Sequence, residues 1–292
     1  MRGMRTPRTA AVLVPLMLLA LGCAPQDSSA TATDTSSQPT GQTAADCASG
    51  KTLKPDVLTI GTDSPAYDPW FAHNDPSNGK GYESAVAYAV AKQLGFQNSA
   101  VTWTKVPFNS SYAPGPKHFD FDINQISITS ARAKVVDFSD GYYSAAQAII
   151  AVKGSPAAQA TSLADLKPFK IGAQTGTTSL TAIRDQIQPN SDAVVFKNTN
   201  DAKTALANGQ VDAIVADLPT AFYLVAVEID HGTIVGQFPS TGEPEQFGML
   251  FAKGNPLVGC VNQALATIKE NGTLAAIEKK WLSDTVNVPV LK

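Results

Sequence analysis

From Leu58 onward, short apolar runs of strand length alternate with helical patterns, and this alternation is the feature that most constrains the fold. Residues 58–61 predict a strand, and residues 82–94 carry apolar side chains at helical spacing, with Gly95 suited to end that helix. Further strand and helix patterns follow along the chain to residue 281. The alternation predicts the α/β class, in which helices cover a mostly parallel sheet.

Polar and charged residues fall where the predicted strands end. The predicted strand 121–129 leads into a hydroxyl-rich turn that delivers Arg132, whose guanidinium can meet both oxygens of one carboxylate. An ordinary surface arginine paired with Asp137 is the alternative. Ligands of open α/β sheets bind at the carboxyl ends of strands, so these motifs predict one shared site. The motifs are Asp63, Ser127–Arg132, Thr175–Ser179 and Asp217.

The N-terminus predicts an exported protein. Three arginines precede a short apolar run at residues 10–21, and Cys23 follows at once, which resembles the lipobox of bacterial lipoproteins. We therefore expect residues 1–22 to be a signal peptide and Cys23 to carry a lipid, although a plain signal peptide with an incidental cysteine is the alternative. Residues 23–50 are rich in Ser, Thr, Ala and Gln, and we expect them to form a flexible tether.

Charge and cysteine content narrow the class of protein further. Removal of residues 1–22 takes away three arginines and no acidic residue, so the formal charge of −3 becomes −6. The mature chain has no cluster of Lys and Arg, which argues against nucleic-acid binding. Cys47 and Cys260 remain as a pair in an oxidising compartment, and we expect a disulfide between them, with two separate buried thiols as the alternative.

Over residues 58–282, the order and spacing of several motifs resemble the bacterial extracellular solute-binding proteins of the polar amino-acid type, the receptor components of ABC importers. The resemblance implies a two-lobed, periplasmic-binding-protein-like fold with two hinge strands (type II). It places residues 51–147 plus 249–292 in lobe 1 and residues 152–244 in lobe 2. The motifs are Ile60-Gly-Thr-Asp, Tyr67-Asp-Pro-Trp, Gly81-Tyr-Glu, Ser127-Ile-Thr-Ser-Ala-Arg, Gly172-Ala-Gln-Thr-Gly-Thr-Thr, Val215-Ala-Asp and Lys253-Gly-Asn-Pro-Leu.

The resemblance also implies a site for a free amino acid, with no cofactor or metal. Arg132 and the helix that starts at Thr177 and Thr178 would take the α-carboxylate, because a helix N-terminus is positively polarised. Asp217, aided by Ser127, would take the α-ammonium. The side chain of the ligand would meet Asp63, Tyr67, Trp70 and Phe108. Asn124 and Gln125 depart from the family pattern, and they could narrow the pocket, add donors for the ligand or cap a neighbouring loop.

Several alternatives stay open for these residues. Thr177 and Asp217 could be helix caps, and Trp70 could pack in the core. Asp122 and Asn124 need hydrogen bonds on a central strand, where they could bind the ligand or cap a loop. We expect no extra basic residue at the pocket, which disfavours an acidic amino acid. Glutamine, asparagine, histidine and the basic amino acids remain possible ligands.

The function that the resemblance implies is amino-acid capture outside the cytoplasm by a lipid-anchored monomer that delivers its ligand to ABC permease subunits. An enzyme on the same fold, such as a cyclohexadienyl dehydratase, is the first alternative. It would need a proton-transfer group in the cleft, yet His73, His118 and His231 lie outside the strand-end motifs. A sensory ligand-binding protein is the second alternative.

Overall fold

The computed structural model of the protein describes residues 42–240, 242–282 and 288–292. The predicted signal peptide and the lipidation of Cys23 concern residues outside these ranges.

Within the described residues, the chain forms strands and helices in alternation. The strands are β1 (Leu58–Thr62), β2 (Val101–Lys105), β3 (Phe121–Asp122), β4 (Val136–Phe138), β5 (Tyr143–Ala145), β6 (Gln147–Val152), β7 (Ile171–Gln174), β8 (Val194–Phe196), β9 (Ala213–Asp217), β10 (Gly232–Gln237), β11 (Glu245–Phe247) and β12 (Leu250–Ala252). The α-helices are α1 (Ala44–Ala48), α2 (Tyr82–Gln93), α3 (Phe108–Ser111), α4 (Ser130–Ala133), α5 (Thr178–Ala182), α6 (Thr199–Ala207), α7 (Leu218–Tyr223), α8 (Val258–Glu270) and α9 (Thr273–Leu282).

Shorter helical turns complete the secondary structure. Helices α5 and α7 continue as π-helical turns over Ile183–Ile187 and Leu224–Glu228. The 3-10 turns are Ala72–Asn74, Pro76–Asn78, Asn98–Ala100, Ala157–Gln159 and Ala164–Leu166.

Two five-stranded sheets define two lobes. The first sheet has the order β2-β1-β3-β12-β4, with β1 parallel to β2 and β3 and with β12 antiparallel to its neighbours. The second sheet has the order β10-β6-β9-β7-β8, with β7 parallel to β8 and β9. The chain passes from the first sheet to the second through β5 and returns through β11, and these two strands pair with each other. The connection between the lobes is therefore this antiparallel pair.

Apolar side chains bury both faces of the second sheet. Strand β6 is fully buried over most of its length, with Ile149 on one face of the sheet and Ile150 on the other. Helix α5 covers the face of Ile149, and helix α6 covers the face of Ile150. Burial on both faces explains why this strand is a continuous apolar run in the sequence. Packing on both faces thus fixes the position of the strand ends and of the residues that they carry.

Helices α2, α8 and α9 pack together in the core of the first lobe, and helix α1 adds to that core. Ala44 and Ala48 of α1 are buried there, and Cys47 of α1 is bridged to Cys260 of α8, with the two sulfur atoms 2.06 Å apart. The predicted pair therefore forms a disulfide in the structure. The expected tether 23–50 is helical at this end, because α1 has an apolar face and a capping box between Thr43 and Asp46.

The structure differs from the expectations in two more segments. The predicted strand 121–129 is reduced to Phe121–Asp122, and beyond it Gln125 has a left-handed backbone conformation with φ 47°, which does not occur within a regular strand. Residues 288–292, which were assigned to lobe 1, lie against the second sheet, where Leu291 is buried and Val290 is bridged to Gln237 of β10. The apolar Leu291 is the physical reason for this position. None of the helices in the described part of the chain has the length and apolar character needed to cross a membrane.

Candidate functional site

A cavity of about 410 Å³ lies between the two sheets. This volume lies within the range of roughly 300–1,000 Å³ that small-molecule sites occupy. Residues from both lobes line the cavity, so a molecule bound there contacts both. The predicted site residues that line it are Asp63, Tyr67, Phe108, Asn124, Gln125, Ser127, Thr177, Thr178 and Asp217.

Trp70 does not line the cavity. Its indole is fully buried against Tyr82, Tyr143 and Phe247, with ring centroids 5.4–5.9 Å apart. The indole N–H donates to Thr220 Oγ1 across the lobes at 2.8 Å, and Thr220 itself lines the cavity. Trp70, which was predicted to contact the ligand, holds a cavity residue in place in this structure.

Arg132 also lies outside the cavity lining. The segment predicted to be a hydroxyl-rich turn forms the short helix α4, which carries Arg132 and is capped by the Thr129 hydroxyl. Its guanidinium donates to the Ser127 carbonyl at 2.7 Å and to the Gly176 carbonyl of the other lobe at 2.8 Å. It stacks on the Tyr112 ring, with 4.7 Å between Cζ and the ring centroid. Arg132 is thus a buried cation that joins the two lobes behind the cavity wall.

Asp217 lies half-buried at the end of β9 and lines the cavity. It makes no capping hydrogen bond to α7, so the helix-cap alternative does not apply. Gln147 Nε2 donates to Asp217 Oδ1 at 2.7 Å. Burial and the negative charge of Glu245 raise the pKa of Asp217 to about 8, against the opposing effects of Gln147 and Arg132. Burial and the neighbouring Glu245 therefore both disfavour the ionised form of Asp217.

The side chain of Glu245, on the connecting strand β11, joins Ser127 of the first lobe to Thr178 of the second. The Ser127 hydroxyl donates to Glu245 Oε1, and the Thr178 hydroxyl donates to the same oxygen at 2.7 Å. Gln147 Nε2 lies 3.2 Å from Glu245 Oε2. No sequence pattern assigned a role to Glu245 or Gln147. The available signal for a role was their position, because Gln147 directly precedes the apolar run 148–152 and Glu245 lies two residues before the apolar run 247–252.

The turn before α5 positions Thr177 and Thr178. Gly176 has φ 74°, a conformation that favours glycine, and a Cβ atom there would collide with Tyr112 and Asn109 of the first lobe. Thr177 is the N-cap of α5, since its hydroxyl accepts from the Leu180 N–H at 3.1 Å. The capping interpretation of Thr177 is correct, and the residue lines the cavity as well.

Glu83, on helix α2, supports Gln125 at the cavity wall. The Gln125 backbone N–H donates to Glu83 Oε1 at 2.6 Å, the Gln125 side-chain amide donates to Oε2, and the Tyr142 hydroxyl donates to Oε1. Glu83 is fully buried, and this burial raises its pKa to about 7. Glu83 does not itself line the cavity, and it holds a residue of the cavity wall in place.

Asp122 and Asn124 form a polar strip next to Gln125. Both Asp122 carboxyl oxygens are buried without a hydrogen-bond partner, and burial holds the pKa of Asp122 well above its usual range. Gly61 makes room for this carboxyl, because a Cβ atom at that position would lie 2.5 Å from Asp122 Oδ2. The Asn124 amide nitrogen is also buried and unpartnered, and Asn124 lines the cavity.

Asp63, Tyr67 and Phe108 form the wall of the cavity on the side of the first lobe. The Asp63 carboxylate accepts from the Ser64 N–H at 2.6 Å and from the Phe108 N–H at 3.0 Å, so it also fixes the local backbone. Burial raises the pKa of Tyr67 to about 12, which keeps its phenol neutral. This wall combines aromatic surface with one carboxylate.

Two lysines at the cavity correct one expectation. Lys105, at the end of β2, and Lys197, after β8, both line the cavity and are exposed. The sequence was expected to place no extra basic residue there, and on that ground acidic amino acids were disfavoured. That expectation is wrong, and the ground for disfavouring them is removed. Among the described residues, no group of three or more His, Cys, Asp and Glu side chains could hold a metal ion.

Comparison with known proteins assigns this two-lobed architecture to a family. The model of the bacterial extracellular solute-binding proteins, family 3, matches residues 58–284. The chain belongs to this family. The structure of the arginine-, lysine-, histidine-binding protein ArtJ from Geobacillus stearothermophilus superposes with a TM-score of 0.67 at 27% identity, over 80% of this chain and 96% of that one. The fold is the type II, two-lobed fold that the sequence predicted.

Two relatives from Bacillus subtilis (strain 168) are similar over most of their length. The ABC transporter glutamine-binding protein GlnH is 31% identical over 219 residues, which is 73% of this chain and 77% of the relative. The L-cystine-binding protein TcyA is 32% identical over 240 residues, which is 80% of this chain and 84% of the relative. Both matches thus extend over more than two thirds of this chain.

Proposed function

We propose that this protein is the extracytoplasmic substrate-binding component of an ABC transporter and that it captures a polar amino acid between its two lobes. Its relatives are named for glutamine, for cystine, and for arginine, lysine and histidine. These ligands share the α-amino acid head group and differ in their side chains. The shared head group supports the class of ligand and leaves the individual amino acid open.

The observation that carries the proposal is the cavity between the lobes, with the half-buried carboxyl group of Asp217 at its wall. A carboxyl group in such a place, close to hydroxyl groups, suits an ammonium, because a cation in the cavity would favour its ionised form. The α-ammonium would meet Asp217 and Ser127. The α-carboxylate would meet the N-terminal end of α5 at Thr178 and the positive charge of Arg132.

In this arrangement, the side chain of the ligand extends toward the wall formed by Asp63, Tyr67 and Phe108. Asn124, Gln125, Lys105 and Lys197 then supply donors for polar groups at its far end. Arg132 would have to turn from the Gly176 carbonyl toward the ligand. Contact of one ligand with both lobes would favour the closed arrangement, because only that arrangement brings the two halves of the site together.

The remaining parts of the proposal concern delivery. We expect a lipid on Cys23 to hold the protein at the outer face of the cell membrane as a monomer, and we expect the closed form to dock on the permease subunits.

The enzyme alternative differs in its consequence for the ligand, since an enzyme converts it and a receptor returns it unchanged. A sensory role would also involve binding without conversion.

A thermal-shift screen of the mature protein against the twenty L-amino acids and L-cystine tests the proposal. A ligand at about 100 times its dissociation constant stabilises the folded state by about 2.7 kcal/mol. We expect at least one polar amino acid to raise the melting temperature, and mass spectrometry after incubation should recover that amino acid unchanged. Absence of a shift from every compound would reject amino-acid binding, and chemical conversion of the ligand would favour the enzyme.

A further inference from the structure

A carboxylate of the protein itself binds two hydroxyls that line the cavity. Glu245 Oε1 accepts from the hydroxyls of Ser127 and Thr178, which approach it from opposite lobes. Burial lowers the pKa of the Arg132 guanidinium, and the negative charge of Glu245 opposes this effect, so the electrostatic interaction of Glu245 with Arg132 is favourable. Glu245 therefore interacts with three of the groups that the proposed function assigns to the ligand head group.

The hydrogen-bond donors around this position suit a carboxylate. Both hydroxyls donate to one oxygen of Glu245, and Gln147 Nε2 lies within 3.2 Å of the other oxygen. The same Gln147 nitrogen donates to Asp217 Oδ1. The carboxylate of Glu245 ends a CH₂ group and has the same shape and charge as the α-carboxylate of an amino acid. Two such carboxylates cannot both accept from the hydroxyl hydrogen of Thr178, where the proposed function places the α-carboxylate.

We propose that Glu245 is an internal competitor for the α-carboxylate of the ligand and thereby sets the affinity of the site. The inference rests on the proposed function and deepens it. Before an amino acid binds, Glu245 satisfies Ser127 and Thr178 and joins the lobes. The α-carboxylate of an arriving amino acid displaces the Glu245 carboxylate from Thr178 and takes over the charge of Arg132, while the α-ammonium binds at Ser127. The hydrogen bonds that Glu245 gives up offset part of those that the ligand forms.

The test compares Glu245→Ala and Glu245→Gln with the wild type by calorimetric titration. The first probe is the tightest-binding ligand among the twenty L-amino acids and L-cystine. The second probe is the α-carboxamide of that ligand, which lacks the negative charge of the α-carboxylate. Hydrogen bonds to a charged group are strong enough that removal of the competitor should tighten binding of the amino acid by about tenfold. Binding of the α-carboxamide should not tighten. Glu243→Ala is the matched control, because Glu243 is exposed two residues away.

Each outcome decides the inference. The inference is supported if the variants bind the amino acid more tightly but not its α-carboxamide, and if the affinity of Glu245→Gln lies between those of the wild type and Glu245→Ala. Equal gains for the amino acid and its α-carboxamide would mean that the variants only loosen the closed lobes, and weaker binding would mean that Glu245 helps to hold the ligand. Either result overturns the inference and leaves the proposed function intact. If neither the wild type nor any variant binds an amino acid, both proposals fail.

Discussion

The buried carboxylate of Glu83 gives the sharpest prediction about the wall of the cavity. Glu83 lies on α2 and accepts three hydrogen bonds, two from Gln125 and one from the Tyr142 hydroxyl. Gln125 lines the cavity in a left-handed backbone conformation. We expect Glu83→Ala to destabilise the fold and also to weaken ligand binding, because Gln125 loses the partner that holds it.

The expected loss in the free energy of unfolding follows from the buried hydrogen-bond donors that Glu83→Ala leaves without a partner. An unsatisfied buried donor costs about 1–3 kcal/mol. Three donors lose their partner, and water can reach Gln125 from the cavity, so we expect a loss of about 3–5 kcal/mol in the free energy of unfolding. Glu270→Ala is the matched control, since Glu270 is an exposed glutamate at the end of α8 and should change stability by less than about 0.5 kcal/mol.

Urea unfolding of the two variants and the wild type measures the difference, and titration with the best amino acid measures binding. Glu83 also contributes a pH dependence. Its pKa is raised to about 7 in the folded state, so the folded state binds the proton more tightly and its stability decreases as the pH rises from about 4.5 to 7. If Glu83→Ala matched Glu270→Ala in both stability and affinity, the supporting role of Glu83 would be refuted.

Three further predictions concern the disulfide, the anchor and the pH dependence of binding. Loss of the Cys47–Cys260 bridge, which closes a loop over a sequence separation of 213, should cost about 5 kcal/mol in urea unfolding, and a double serine variant as stable as the wild type would contradict this. Cys23→Ser should release the protein from the membrane fraction, and undiminished membrane association would reject the lipid. Burial raises the pKa of Asp217 to about 8, and an ammonium ligand needs the ionised form, so binding should release a proton and tighten as the pH rises toward 8. The same titrations of Asp217→Asn should show no such dependence, and an affinity of the wild type that is independent of pH would refute the coupling.

Local patterns in the sequence were sufficient for some of the elements of the fold. The helix predicted at 82–94 is α2 (Tyr82–Gln93), because its apolar spacing and the following Gly95 are local signals. The apolar run of β6 was recognisable because both of its faces are buried. The sharp end of β3 was not predictable, since the conformation of Gln125 depends on Glu83, which is 42 residues away in the sequence.

The site was predictable to the extent that its residues stand at strand ends. Asp217, Ser127 and Thr178 line one cavity as the motifs indicated. The orientation of Arg132 toward two carbonyl groups depends on how closely the lobes approach, which no local pattern records. Glu245 was missed for a similar reason, because its hydroxyl partners come from segments 118 and 67 residues away.

The measurement that tests the central claim most directly is calorimetric titration of the best amino acid into the wild type, Arg132→Ala and Asp217→Asn. Each variant removes one charge partner of the proposed head group, and a buried charge left unpaired costs about 2–5 kcal/mol, or roughly 30-fold to several thousand-fold in affinity. Asp192→Asn, at an exposed position of the second lobe, is the control and should bind as the wild type does. Losses of this size in both site variants are the predicted result, and wild-type affinity in both would contradict the claim that an amino acid is held between the lobes by these two residues.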